Sequence, residues 1–213
     1  IGGMRTIVVG LVAGALLWAS AAEAARFETV RSARDLVGIV ITGRISAGDD
    51  KRFRRLVRGL DEAIVLLDSP GGDGIASLAI GLEVRARGFS TGVLPWADCA
   101  SGCALIWLAG IRRFAHDTSA IGFHAASAPD ENGRLRQSAE GNALVMEYLT
   151  GLGYSRATAR RLVSAPPTGM FWLSQRTARD LGIAARTVEV PEPPTTASRR
   201  ETGDWFDADR DNR

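Results

Sequence analysis

The sequence predicts an α/β fold, a largely parallel sheet with crossover helices, on three observations. Short β-branched, apolar runs at 36–42 and 63–68 alternate with helical stretches at 49–60 and 74–87. Glycine or a turn closes each run, and the stretches between them are long enough to carry the chain back to a parallel neighbour. With 213 residues, 46% hydrophobic and 23% charged, the composition describes a chain that buries its own core, and it excludes a collagen, a coiled coil and a wholly disordered polymer. One folded unit at 25–190 is the expectation at this size.

The elements follow in order. Met4-Arg5, the apolar stretch 6–19 and Ala22-x-Ala24 read as a signal peptide over 1–24, cut after Ala24. A helix over 6–19 would be about 21 Å long against a hydrocarbon core of about 30 Å, so a cleaved export signal is preferred to an uncleaved anchor. The expected location is therefore periplasmic or secreted, with membrane contact only if the segment stays attached. Gly43 ends the first strand. Asp49 and Asp50 cap a helix whose wet face is Lys51-Arg52, Arg54-Arg55 and Arg58 and whose dry face is Phe53, Leu56, Val57 and Leu60. The second strand runs into Ser69-Pro70-Gly71-Gly72, and the next helix ends at Gly88. A short strand at 91–94 leads into Pro95-Trp96-Ala97-Asp98. Residues 99–110, apolar nearly all round, read as a core helix. Strands at 112–114 and 120–125, a helix at 138–151 and two short helices complete the unit. Leu144, Val145, Tyr148 and Leu149 on the 138–151 helix face either this chain's core or a partner. From Pro191 the chain turns Pro-, Thr-, Arg- and Asp-rich, and 191–213 reads as a disordered tail holding the aromatic pair Trp205-Phe206.

Charge narrows the function. A formal net charge of +2 argues against a nucleic-acid partner, which needs a large basic excess or a basic face. The 26 basic residues are 25 Arg and one Lys, Lys51, and there are only two His, His116 and His124. General bases are thus scarce.

Three pieces carry chemistry. Asp68-Ser69-Pro70-Gly71-Gly72 is a loop whose glycines let backbone amides turn toward a bound group. Cys99-Ala100-Ser101-Gly102-Cys103 sets one hydroxyl among small residues at a helix start, where free N–H groups favour a developing anion. Taken alone, Ser101 reads more simply as a helix cap. Ile121-Gly122-Phe123-His124-Ala125 ends an apolar strand in a histidine.

In this order and spacing the three resemble the Clp protease proteolytic subunit and its relatives in the crotonase-like superfamily, over about residues 36–183. Trp172-Leu173-Ser174, Ala178 and Leu181-Gly182-Ile183 resemble that family's closing helix and strand. The signal peptide and the cysteines are closer to a secreted bacterial branch. The resemblance implies a serine hydrolase, most readily a peptidase acting on a peptide or protein, with Ser101 as nucleophile, His124 as general base and the Gly72 and Gly102 amides as oxyanion hole. It also implies relatives that assemble into rings or trimers, so a homo-oligomer is an expectation, and no cofactor or metal.

Departures from the family pattern keep a second reading open, a catalytically silent fold that binds peptides or an envelope partner. Where the family has its acidic third member this chain reads Thr168-Gly169-Met170-Phe171. Loss of that acid costs on the order of 10⁴ in rate unless a backbone carbonyl, Thr168 or a remote Asp orients His124. Asp117 is nearest in sequence, and Asp98 lies nearer the serine. A Ser-Lys dyad is excluded because Lys51 sits among cations on a wet helix face. His116, expected in an exposed turn, is the weaker alternative to His124. Cys99 and Cys103, exported, either form a disulfide or remain two buried thiols; without a well-placed His they make a poor zinc site.

Overall fold

The computed structural model describes residues 24–33 and 35–188, so the expected tail and, apart from Ala24, the expected signal peptide lie outside the described residues. In chain order the elements are β1 (Arg26–Arg31), β2 (Val37–Thr42), α1 (Asp49–Leu56), β3 (Ile64–Asp68), α2 (Gly74–Ala86), β4 (Ser90–Val93), β5 (Asp98–Ala100), α3 (Gly102–Ala109) and β6 (Arg113–His116). They continue with β7 (Ala120–Phe123), β8 (Ser127–Pro129), β9 (Leu135–Gln137), α4 (Ala139–Gly151), α5 (Arg156–Leu162), β10 (Phe171–Trp172), α6 (Gln175–Asp180) and β11 (Arg186–Val188).

The main sheet has the order β1-β2-β3-β4-β6-β11. Every pairing in it is parallel except β1 with β2. Strands covered on both faces read as continuous apolar runs, and β2 and β3 behave so: Ile39, Ile41, Val65 and Leu67 join the main core, whereas Ile64 and Leu66 join Phe114 in a smaller cluster. A second sheet, β10-β7-β5, pairs β5 parallel with β7, and β8 and β9 form a separate antiparallel pair.

Local chemistry accounts for the helix ends. Asp73 caps α2 by accepting from Ala76 N–H at 2.8 Å, and Ser138 caps α4 by accepting from Gly141 N–H at 2.9 Å. The expected aspartate cap of α1 is corrected: Gly48, left-handed at φ 91°, holds the cap position, and the buried Asp49 carboxylate instead bonds Ser46 N–H and the Arg52 guanidinium, both at 2.8 Å. Phe53 and Val57 are buried and Lys51 and the α1 arginines are exposed, as the amphipathic pattern requires. Residues 99 and 100 are strand, not helix. Cys99 lies opposite Ile121 and Ala100 opposite Gly122, and those ladder bonds postpone the helix to Gly102. Likewise Leu181–Ile183 is no strand; the closing strand is β11.

The helix layer is clasped by tyrosines. Tyr148 of α4 donates to Leu105 O at 2.8 Å and Tyr154 to Leu108 O at 3.0 Å, both carbonyls of α3. Burial raises both phenol pKa values, which keeps them donors. Tyr148 passes over Gly81 of α2, where any Cβ would run into the phenol. Val145, Tyr148 and Leu149 therefore belong to this chain's own core, and Leu144 is 41% exposed. No helix among the described residues is long and apolar enough to cross a membrane.

Gly81→Ala is expected to cost about 1–3 kcal/mol by overpacking, and Tyr148→Phe about 1 kcal/mol for the lost hydrogen bond. Because the phenol is the first atom the new methyl meets, the double variant should cost less than the two single changes together, read from urea unfolding midpoints.

Candidate active site

Three strand ends meet at one edge of the fold. β3 stops at Asp68 and runs into Ser69, whose backbone bridges Cys99 of β5; β5 in turn pairs with β7. The loop after β3, the turn after β5 and the residue after β7 are thus brought together. Ser69 is fully buried and pins its loop, donating from Oγ to Gly43 O at 2.6 Å and accepting from Gly71 N–H at 3.1 Å.

Gly71 and Gly72 take φ of 83° and 146°, a region that L side chains rarely enter. A Cβ at Gly71 would sit 2.5 Å from Ala100 O, 2.7 Å from Gly102 N and 2.9 Å from Ser101 Cβ. The two turns therefore touch backbone to backbone. Gly102 is equally constrained, since its Cβ would run into Ser77 Oγ of α2, and that Cβ position lies 3.7 Å from Gly72 N. Neither the Gly72 nor the Gly102 N–H donates a hydrogen bond among the described residues, although the bridge to Ile45 engages Gly71 O and Asp73 N–H on either side of Gly72. Gly102 is buried. Unpaired buried N–H groups are rare, and here the nitrogens of Gly72 and Gly102 lie close to one another.

Ser101 sits between β5 and α3 at φ 57°, ψ −121°, a sparsely populated conformation for a residue with a Cβ. Its backbone is held on both sides, N–H to Gly122 O at 2.8 Å and carbonyl from Leu105 N–H at 3.2 Å. The cap reading fails for its hydroxyl, which makes no capping bond. Cys99 and Cys103 are joined as a disulfide with Cα atoms 5.2 Å apart, both fully buried, tying the strand before Ser101 to the first turn of the helix after it.

His124 follows β7 and is half-buried. Its Nδ1 lies 2.7 Å from Ala125 O. A carbonyl can only accept, so Nδ1 carries the proton and Nε2 is left with its lone pair free to take one. The Ala125–Ala126 backbone is itself fixed, Ala125 N–H to Ala165 O at 2.8 Å and Ala126 N–H to Asn142 Oδ1 of α4 at 2.7 Å. Asn142 is a positioning residue that sequence reading did not find, since nothing in a helix pattern marks an amide aimed at a distant strand. Ser101 Oγ and the His124 ring are not hydrogen-bonded to each other in this structure.

The acids lie elsewhere. Asp117 is directed to His116 Nδ1 at 2.9 Å, and Asp98 lies beside Asp68, where burial and then the Asp98 charge raise the Asp68 carboxyl pKa. Thr168 is exposed and makes no hydrogen bond to His124. His116 is buried rather than exposed, because it lies on β6 in the main sheet, packed at a tilt against Trp96 and bonded through Nδ1 with Thr118 Oγ1 at 2.6 Å. Among the described residues no three His, Cys, Asp or Glu side chains gather as a metal site.

No family model matches the sequence, and no curated protein matches it. Solved structures do. A mutant of ClpP1 from Listeria monocytogenes superposes with a TM-score of 0.54 at 18% identity, covering 73% of this chain and 91% of that one. The chain has the ClpP-like fold. The ClpP protease catalytic domain from Plasmodium falciparum gives a TM-score of 0.52 at 18% identity, over 71% of this chain and 84% of its own. A mutant of the 1510-N membrane-bound stomatin-specific protease in complex with a substrate peptide gives 0.53 at 19% identity, over 68% and 70%. In this ClpP-like chain the mostly parallel sheet and its helices place Ser101, His124, Gly72 and Gly102 at one edge.

Replacing both cysteines by alanine should lower unfolding stability by about 2 kcal/mol, the chain-entropy value for so short a loop, measured as a shift in urea midpoint at constant slope.

Proposed function

We propose that this chain is a serine hydrolase that cleaves peptides outside the cytoplasm, with Ser101 as nucleophile, His124 as general base, and the Gly72 and Gly102 amides as oxyanion hole. One observation carries the reading: a serine on a strained turn, its hydroxyl capping nothing, stands close to two N–H groups that donate to no described residue. In the attack, Ser101 Oγ bonds to the carbonyl carbon and its proton passes to His124 Nε2. The carbonyl oxygen takes the electron pair and is held by the two amides, each such donor contributing about 3 kcal/mol in the transition state. Collapse expels the amine, which takes the proton back from the imidazolium, and water then releases the acyl group by the same route.

The missing acid has a counterpart in this scheme. Ala125 O holds the Nδ1–H tautomer, the orienting part of a triad aspartate's role, without its negative charge to stabilise the imidazolium. A slow enzyme is the consequence. Export is supported by the signal-like segment 1–24 and by the Cys99–Cys103 disulfide, which persists in oxidising compartments. Peptides are the substrate class by analogy with the neighbour solved with a substrate peptide. Self-association is part of the same proposal, with Ile75, Leu82 and Leu144 as exposed apolar residues available to it. The second reading, a silent peptide binder, is favoured by the unformed Ser101–His124 hydrogen bond and by the lack of a carboxylate on His124.

A fluorophosphonate probe separates them. Labelling of the wild type that Ser101→Ala abolishes and His124→Ala lowers by about 10³-fold or more fits the hydrolase. An unlabelled wild-type protein, folded by circular dichroism, leaves the silent binder.

A further inference from the structure

The two amides of the proposed oxyanion hole are aimed from behind. Gly71 O accepts from Ile45 N–H at 2.8 Å, and Ser101 O accepts from Leu105 N–H at 3.2 Å. In a trans peptide the N–H points opposite to the C=O, so these bonds turn the Gly72 N–H away from Ile45 and the Gly102 N–H away from the body of α3. Direction is thereby set on each side separately. A hole also needs its two donors at one separation, because a single oxyanion must reach both at about 2.7–3.1 Å.

The atom between the two halves is the hydroxyl oxygen of Ser77. Ser77 is fully buried on α2, and its Oγ donates to Asp73 O at 2.7 Å, a carbonyl that also accepts from Ser77 N–H at 3.0 Å. Asp73 is in turn locked to the loop that carries Gly72, its N–H donating to Ile45 O at 2.8 Å and its carboxylate accepting from Ala76 N–H at 2.8 Å. On its other side the same Oγ meets Gly102: a Cβ there would run into it and would lie 2.8 Å from Ser77 Cβ. The Gly102 hydrogen which that Cβ would replace therefore points at Ser77 Oγ, and the same position is 3.7 Å from Gly72 N. A buried helical serine that bonds the carbonyl four residues back needs no function, and alanine would suit the helix as well. Ser77 differs in that its oxygen, the atom alanine lacks, is the one wedged against Gly102.

We propose that Ser77 is a positioning residue for the oxyanion hole, its hydroxyl fixing the separation of the Gly72 and Gly102 amides. The proposal rests on the hydrolase reading and adds to it a side chain that acts through Gly102 and not on the substrate. Without the hydroxyl, a gap one oxygen wide opens between α2 and the first turn of α3. That turn then settles toward α2 and carries the Gly102 N–H off the oxyanion position.

The kinetics of fluorophosphonate labelling of the full chain test this, with the P=S analogue of the probe run alongside. Sulfur accepts hydrogen bonds weakly, so the rate advantage of P=O over P=S reports on the hole. Ser77→Ala should lower the limiting labelling rate by about 10- to 100-fold, with the half-saturating probe concentration unchanged; removing a donor outright costs about 10²–10³. The P=O advantage should shrink by a similar factor, and the pH midpoint of labelling, set by His124, should stay at its wild-type value. Gly102→Ala should label at least as poorly, its methyl landing on the Ser77 hydroxyl. Adding Ser77→Gly empties that place and should recover about tenfold or more of the loss. Cooperative unfolding in urea identifies the folded variants, and if Ser77→Ala does not fold the Gly102 pair decides alone. A labelled wild type with an equally labelled Ser77→Ala overturns this proposal and leaves the hydrolase standing. So does a slower Ser77→Ala whose P=O advantage is unchanged or whose pH midpoint has moved, since the loss then runs through another group, and so does a double variant no faster than Gly102→Ala. A folded wild-type protein that neither probe labels overturns the hydrolase reading and this proposal with it.

Discussion

Two backbone turns in contact, Gly71-Gly72 after β3 and Ser101-Gly102 after β5, set the constraint to which the neighbouring elements are fitted. There is no room for a Cβ on either glycine of the first turn or on Gly102 of the second. Holding two such turns against each other requires their strands to be tied, and the Ser69–Cys99 bridge with the buried Ser69 hydroxyl does this from the β3 side. From the β5 side the tie is the disulfide and the ladder to β7. The strain at Ser101 persists because these fixtures leave its backbone no alternative, as strained residues require.

The helices extend that constraint outward. Gly102 admits Ser77 of α2 against the first turn of α3, and Gly81 one turn further along α2 admits Tyr148 of α4, whose hydroxyl closes on α3. Small residues at these two positions let three helices approach closely enough for the Tyr148 hydroxyl to reach a backbone carbonyl of α3. α4 also returns to the site, since Asn142 holds the backbone next to His124. The imidazole is thereby oriented by dipoles and not by a charge, which separates the geometric part of a triad acid's work from the electrostatic part.

Much of the main sheet was legible because strands buried on both faces leave continuous apolar runs, as at 36–42 and 63–68. β1 was not, because Arg26–Arg31 is a mostly exposed edge strand with polar residues and carries no such run. β8 and β9 escaped for the same reason, being short and largely exposed. Cys99 and Ala100 misled in the opposite direction: an unbroken apolar stretch up to Gly110 has no mark to separate the strand from the helix. Only pairing with Ile121 and Gly122 makes that division. The turn formers Asp117 and Thr118 point by sequence to an exposed turn at His116, yet the strand expected at 112–114 runs on to His116 and buries it.

Local chemistry alone determined the fold class, the glycine turn, the serine set among small residues and the single well-placed histidine, since each depends on a residue's own conformational range or on its immediate neighbours. Tertiary structure decided which strand ends share an edge, that Ala125 O orients His124 where no acid does, that the cysteines are joined, and that Ser77 of α2 meets Gly102 of α3. The physical reason is common to all of these. Each is a contact between segments far apart in sequence, and its geometry is set by sheet register and helix packing, which no short window of residues contains.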